Sequence, residues 1–199
     1  MNLKNNLKNL RDNYRYRKEY FTWKRNGRPL PPPHFVKQLA IREYRRRYSC
    51  TTLVETGTYL GEMVRAQLNY FKKIISIELS SELFHHAKNN FAGRRHIDLR
   101  NGDSGEMLKT IVPALNEPAL FWLDGHYSGG NTTKGNVGTP ILSELETIFQ
   151  SGLPHVILID DARLFNGTDD YPTLETLKNV VAKTQYSFSL KDDIIRLTA

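Results

Sequence analysis

From Ser49 onward, short apolar runs rich in β-branched residues alternate with amphipathic stretches, and this alternation constrains the fold more than any other feature of the chain. The runs are Thr52–Thr56, Lys73–Glu78, Ile97–Asn101, Ala119–Asp124 and Val156–Asp160. A stretch such as Val156-Ile157-Leu158-Ile159 has no polar face, so it suits a parallel strand covered on both sides. Helical segments over about 61–71, 81–91, 104–112 and 140–150 separate the runs. Strand–helix–strand alternation of this kind predicts right-handed crossovers and an α/β, doubly wound, mostly parallel sheet. A helix over 171–183, with Pro172 in its first turn, follows the last of these runs. Tyr186–Leu190 and Ile194–Thr198, joined by Lys191-Asp192-Asp193, then predict a closing antiparallel hairpin, for seven strands in all.

The charge divides at the same point. Residues 1–48 carry 14 Lys/Arg against Asp12, Glu19 and Glu43, a net +11, whereas residues 49–199 carry 14 against 18 acids, a net −4. The chain therefore reads as a basic helical segment (1–48) ahead of an acidic domain (49–199). In the segment, Leu3, Leu7, Leu10 and Tyr14 share one helical face, Gly27 to Pro33 breaks the helix, and residues 35–48 form a second basic helix with Phe35, Leu39 and Tyr44 on its apolar side. The segment could pack on its own acidic body, form a homo-oligomer through the Leu3, Leu7 and Leu10 face, or contact nucleic acid or anionic lipid. For the last, Tyr14, Tyr16, Tyr20, Phe21 and Trp23 among Arg and Lys make a stacking-capable mixture. No apolar run approaches the ~18 residues a membrane span needs. The basic start has no apolar stretch of ~7–15 residues behind it, so no secretory signal is read. A single Cys50 excludes an internal disulfide and a cysteine-based zinc site, and cytoplasmic residence is expected.

Open α/β sheets bind ligands beyond the carboxyl ends of their strands, at the point where strand order reverses. The predicted ends read Glu55-Thr56-Gly57-Thr58-Tyr59-Leu60-Gly61, Ile77-Glu78, Gly102-Asp103-Ser104, Asp124-Gly125-His126 and Asp160-Asp161. Gly57 permits a tight turn, and Gly61 lets the next helix approach with its N-terminus toward a ligand, although both could be plain turn residues. Glu55 could bind a ligand or pair locally. Glu78 is placed to accept hydrogen bonds from ribose hydroxyls, and Asp103 from an adenine amino group. The spacing Glu-x-Gly-x-x-x-Gly lacks the glycine that lets backbone approach a pyrophosphate, which disfavours NAD. Asp124, Asp160 and Asp161 end two strands that a switch-order sheet makes neighbours. Three such carboxylates repel unless a cation or protons offset them, and oxygen donors of this kind suit Mg²⁺ or Ca²⁺. Asp160 or Asp161 could instead cap the next helix.

Over about residues 50–199, Glu55-x-Gly57-x-x-x-Gly61, Glu78, Gly102-Asp103 and the closing hairpin together resemble the class I S-adenosylmethionine-dependent methyltransferases, whose fold is Rossmann-like. The resemblance implies that Glu55, Gly57, Thr58, Gly61, Glu78, Asp103, Ser104 and Asp124 bind S-adenosylmethionine. The aspartates look like those of the metal-dependent O-methyltransferases of the catechol and macrocin types, which implies a divalent metal such as Mg²⁺ on Asp124, Asp160 and Asp161. The chain departs from that pattern in the glycine-rich stretch 125–138, expected to be a lid over the acceptor. His126 is the candidate base, with metal ligation or a structural role as alternatives, and Asp124 would act beside it. Arg163 could hold an anionic part of the acceptor. The expected reaction is O-methylation of a sugar or another polar small molecule. Two alternatives stand beside it. One is a nucleic-acid methyltransferase, disfavoured because Asp124-Gly125-His126-Tyr127 replaces the Asn/Asp-Pro-Pro-Tyr tetrad of base N-methylation. The other is a non-catalytic binding protein that kept the fold.

Overall fold

The computed structural model describes residues 15–125 and 140–199. Residues 15–25 are helical (α1) and lead to α2 (His34–Arg47). There follow β1 (Thr52–Thr56), α3 (Glu62–Gln67), β2 (Lys73–Glu78), α4 (Ser81–Asn90), β3 (Ile97–Asn101), α5 (Ser104–Ile111) and β4 (Leu120–Leu123). The chain closes with α6 (Ile141–Phe149), β5 (Val156–Ile159), α7 (Leu174–Val181), β6 (Ser187–Lys191) and β7 (Ile194–Thr198). The strands form one seven-stranded sheet in the order β3-β2-β1-β4-β5-β7-β6. All pairs from β3 to β5 are parallel, and β7 pairs antiparallel with both β5 and β6. This is the expected doubly wound sheet with its terminal hairpin. Order reverses between β1 and β4, which places the switch point there.

The burial pattern follows from the alternation of side chains along a strand. Leu53, Ile74, Trp122 and Leu158 face one side, under α2, α3 and α4. Val54, Ile75, Phe121 and Ile157 face the other, under α5, α6 and α7. β1, β4 and β5 are buried along their whole length, β4 and β5 as unbroken apolar runs and β1 with Thr52, Glu55 and Thr56 buried too. Asp124 and Asp160 lie one residue past the ends of β4 and β5, so both expected strands run one residue too far at the carboxyl end, and the first also starts one residue early, at Ala119. Helix α7 begins three residues later than expected. Thr173 caps it, its hydroxyl accepting from Thr176 N at 3.0 Å, so Pro172 precedes the helix instead of opening it. His155, without a visible partner in the sequence, is buried and accepts from Ala119 N at 3.0 Å, and burial lowers its pKa to about 4.

Helix α2 is part of the core. Ala40, Ile41 and Tyr44 join the cluster with Leu53 and Trp122, and Val36 is buried beside them. Of the expected face, Tyr44 is buried in the core, whereas Phe35 and Leu39 are only half-buried. Phe35 instead meets the rings of Tyr16 and Tyr20 on α1, with centroids 6.2 and 6.0 Å apart. The guanidinium of Arg42 lies 4.3 Å from the Tyr70 ring centroid, and that of Arg45 5.7 Å from Phe71. Part of the basic charge is thus laid along aromatic surface of the body. Leu3, Leu7, Leu10 and Tyr14 lie outside the described residues. Ile41 is 0% exposed, so Ile41→Ala should cost about 3 kcal/mol in urea unfolding. A cost under ~0.5 kcal/mol, as for a surface position, would show that α2 does not belong to the core.

Candidate functional site

Every loop that leaves a parallel strand at its carboxyl end contributes to one region. Gly57 follows β1 with φ +82°, and a Cβ on it would lie 2.5 Å from the carbonyl oxygen of Asp124. The glycine is required where the loops after β1 and β4 cross, backbone against backbone. Gly57 N and Thr58 N both donate to Ile77 O, at 2.9 and 3.1 Å, which draws the loop over the end of β2. Gly61 has φ +71°, and a Cβ there would meet the Phe91 ring at 2.6 Å. Its need for glycine comes from packing against the end of α4, whereas the sequence suggested approach to a ligand.

Glu78 clamps this region. Its two carboxylate oxygens accept from Tyr59 N at 2.7 Å and Ser80 N at 2.9 Å, joining the glycine loop to the turn after β2. Tyr59, with φ +47°, is 51% exposed beside it. Glu55 lies beneath. It accepts from the Ser76 hydroxyl, which also meets Thr58 Oγ1 at 2.6 Å. Burial pushes Glu55 up to about 8, the Ser76 bond opposes this, and the charge of Glu78 adds to it. Glu55 therefore carries a proton at neutral pH and puts a neutral acid under the loop. Asp103 caps α5, its Oδ1 accepting from Glu106 N at 3.2 Å, with Ser104 next to it.

Thr56 ties β1 to β4. Its hydroxyl oxygen accepts from Asp124 N at 3.3 Å and Gly125 N at 3.1 Å. The hydroxyls of Ser104 and Thr56 bond to Glu144, whose pKa burial nevertheless lifts to about 7. Sequence reasoning passed over Glu144. The available signal is its place among Ile141, Leu145 and Ile148 on the buried face of α6. Glu144 and Asp160 line a small cavity beyond β4 and β5, together with Gly125, Phe165 and Tyr171.

Asp124, Asp160 and Asp161 converge as expected, each offering an oxygen within 4.8 Å of the others. Asp160 is 1% exposed, and its Oδ1 accepts from Asp161 N at 2.8 Å, with Asp161 in the left-handed region at φ +52°. The unexpected member is Lys37, from α2. Its ammonium donates to Asp160 Oδ2, and to Asp161 Oδ1 at 3.2 Å. Burial pushes Asp160 up to about 6 against the pull of Lys37. Burial alone would lower Lys37, but Asp160, Asp161 and Asp124 outweigh it and raise its pKa. The sequence did carry a signal for Lys37. It stands at i relative to Ala40, Ile41 and Tyr44 at i+3, i+4 and i+7, on the buried face of α2. Arg163, expected to meet the acceptor, binds Asp161 at 2.7 Å and also Asp193. His126 and the rest of the expected lid through residue 138 lie outside the described residues.

No protein-family model matches the sequence. No curated protein matches it at significant similarity. Solved structures do match. An O-methyltransferase from Bacillus cereus in complex with SAH superposes with a TM-score of 0.62 at 12% identity, covering 92% of this chain and 90% of that one. The O-methyltransferase TomG from Streptomyces achromogenes, solved with SAM, gives 0.61 at 13% identity, covering 92% and 87%. The SAH-bound methyltransferase PaMTH1 from Podospora anserina gives 0.59 at 17% identity, covering 81% and 77%. At these identities the likeness is one of fold, and the fold is that of the class I methyltransferases.

Glu55 makes a pH prediction. Its pKa rises from 4.5 to about 8 on folding, so the unfolded chain releases this proton first and the stabilisation fades as pH rises through that window. Glu55→Gln, which cannot ionise, should gain about 3 kcal/mol relative to the wild type between pH 5 and pH 8 in urea unfolding. Parallel stability curves for the two proteins would contradict a protonated Glu55.

Proposed function

We propose that the chain is an S-adenosylmethionine-dependent methyltransferase that methylates a hydroxyl on a sugar or other polar small molecule, assisted by a divalent cation such as Mg²⁺. One observation carries the reading: the glycine loop clamped by Glu78 crosses the Asp124 turn at the β1/β4 switch point, and the Asp124 carboxylate lies with those of Asp160 and Asp161. In this reading Glu78 receives the ribose hydroxyls, and Asp103 with Ser104 borders the adenine. Glu55, Gly57, Thr58 and Gly61 shape the floor under the methionine moiety, and Asp124 faces both cofactor and acceptor. The transferred methyl leaves a sulfonium, whose sulfur keeps the bonding pair, and joins the acceptor oxygen. That step demands in-line placement more than any other catalytic device. The hydroxyl proton must pass to a base, the role proposed for His126.

The donor set fits a hard divalent cation: three carboxylates, oxygen only, within reach of one another. Bound there, such an ion would lower the pKa of an acceptor hydroxyl and fix its position. Asp124, Asp160 and Asp161 would hold it, and two of the oxygens it would use are on the Lys37 ammonium in this structure. The domain we assign to catalysis is 49–199, with 1–48 a segment that supplies α2. Three basic residues of α2, Lys37, Arg42 and Arg45, turn inward onto carboxylates and rings, which withdraws them from any nucleic-acid surface. Homo-oligomerisation through the Leu3, Leu7 and Leu10 face belongs to the proposal on spacing alone, and cytoplasmic residence on the single cysteine. Among the described residues no helix is long and apolar enough to cross a membrane.

Gly57→Val should abolish S-adenosylhomocysteine binding in a calorimeter, because the side chain drives the loop off Asp124. Wild-type affinity in that variant would sink the cofactor assignment. With radiolabelled S-adenosylmethionine and a panel of polyhydroxylated acceptors, label should transfer in Mg²⁺ and stop in chelator. Asp160→Asn with Asp161→Asn should lose that cation dependence while still binding cofactor. Full activity of the wild type in chelator would refute the metal.

A further inference from the structure

Asp160 Oδ2 and Asp161 Oδ1 already hold an ammonium, and a divalent ion on the same oxygens would bring a second cation against it. Lys37 holds both, with its side chain 16% exposed and its helix fixed by Ala40, Ile41 and Tyr44 in the core. Around the ammonium stand Asp160, Asp161 and, further off, Asp124. On the other flank Arg163 shares its charge between Asp161 and Asp193. The cluster thus already contains the cation that three neighbouring carboxylates require. The lysine stem has four rotatable carbons, so the ammonium can swing away without moving α2.

We propose that Lys37 is the resident cation of the Asp124, Asp160 and Asp161 cluster, and that a divalent ion enters only by displacing its ammonium. The proposal rests on the divalent-cation part of the function proposed above. It makes α2, a part of the basic segment, a determinant of metal affinity. The fraction of molecules with Lys37 withdrawn sets the apparent affinity for the ion, since only those present a complete donor set. It also distinguishes the two ends of the site. Among the described residues the hydrogen bonds and ion pairs of Lys37 run to Asp160 and Asp161 and not to the glycine loop or Glu78, so occupancy of the proposed cofactor half does not require its release.

The test uses the full-length chain and Mn²⁺ as the only added ligand, with binding read by calorimetry and by the electron paramagnetic resonance of free ion. Lys37→Met keeps the length and apolar stem but removes the charge, and should bind Mn²⁺ about ten-fold or more tighter than the wild type. Equal affinity, or weaker binding by the variant, overturns the competition while leaving the metal assignment intact. Binding by neither protein overturns both. A second measurement needs no variant. Acylation of the Lys37 amine in the wild type, followed by mass spectrometry of its peptide, should be several-fold faster in saturating Mn²⁺ than in chelator, as the displaced amine reaches solvent. An unchanged rate at saturation overturns the proposal even if Lys37→Met fails to fold.

Discussion

Carboxylates at the ends of adjacent parallel strands cannot remain charged side by side in a buried place unless a cation joins them. The strand order makes β4 and β5 neighbours, and alternation along each strand sends Asp124 and Asp160 toward the side covered by α2. Lys37 answers that charge from α2, and to do so α2 must lie flat on the sheet, with Ile41 and Tyr44 in the core. The basic segment and the acidic body are therefore held together at a specific ion pair as well as by apolar burial. The opposed net charges of the two parts express, in part, this one contact.

The other half of the site rests on backbone geometry. Gly57 brings the loop after β1 against the carbonyl of Asp124, and Thr56 holds the amides of Asp124 and Gly125. Glu78 then fixes the loop to the end of β2 through two amides. A protonated Glu55 beneath it avoids placing a second full negative charge beside Glu78. The carboxyl edge of the sheet is thereby acidic at two separate points, Glu78 beside the glycine loop and the cluster of Asp124, Asp160 and Asp161.

Much of this was legible in the amino-acid sequence, for physical reasons. Strands buried on both faces must be apolar throughout, so β4 and β5 announce themselves, and the residues just beyond them fall at the binding edge. What escaped was polar chemistry on apolar faces. Lys37 and Glu144 sit at helical positions that periodicity assigns to the core, and a reading that sorts charged residues to the surface passes over both. Gly61 was legible as a constraint but not in its cause, since the Phe91 ring reaches it from thirty positions away in the chain. On α2 the expected face held at Tyr44 but not at Phe35, which has a partner in α1 that a single-helix pattern does not contain.

The account stands or falls on the placement of a methyl donor at the switch point. A crystal structure of the chain with S-adenosylhomocysteine measures this directly. The account predicts ribose hydroxyls within hydrogen-bonding distance of the Glu78 carboxylate and the thioether sulfur facing the Asp124–Gly125 turn. A nucleoside bound elsewhere, or a Glu78 carboxylate still engaged only by Tyr59 and Ser80 in crystals saturated with the ligand, would contradict it.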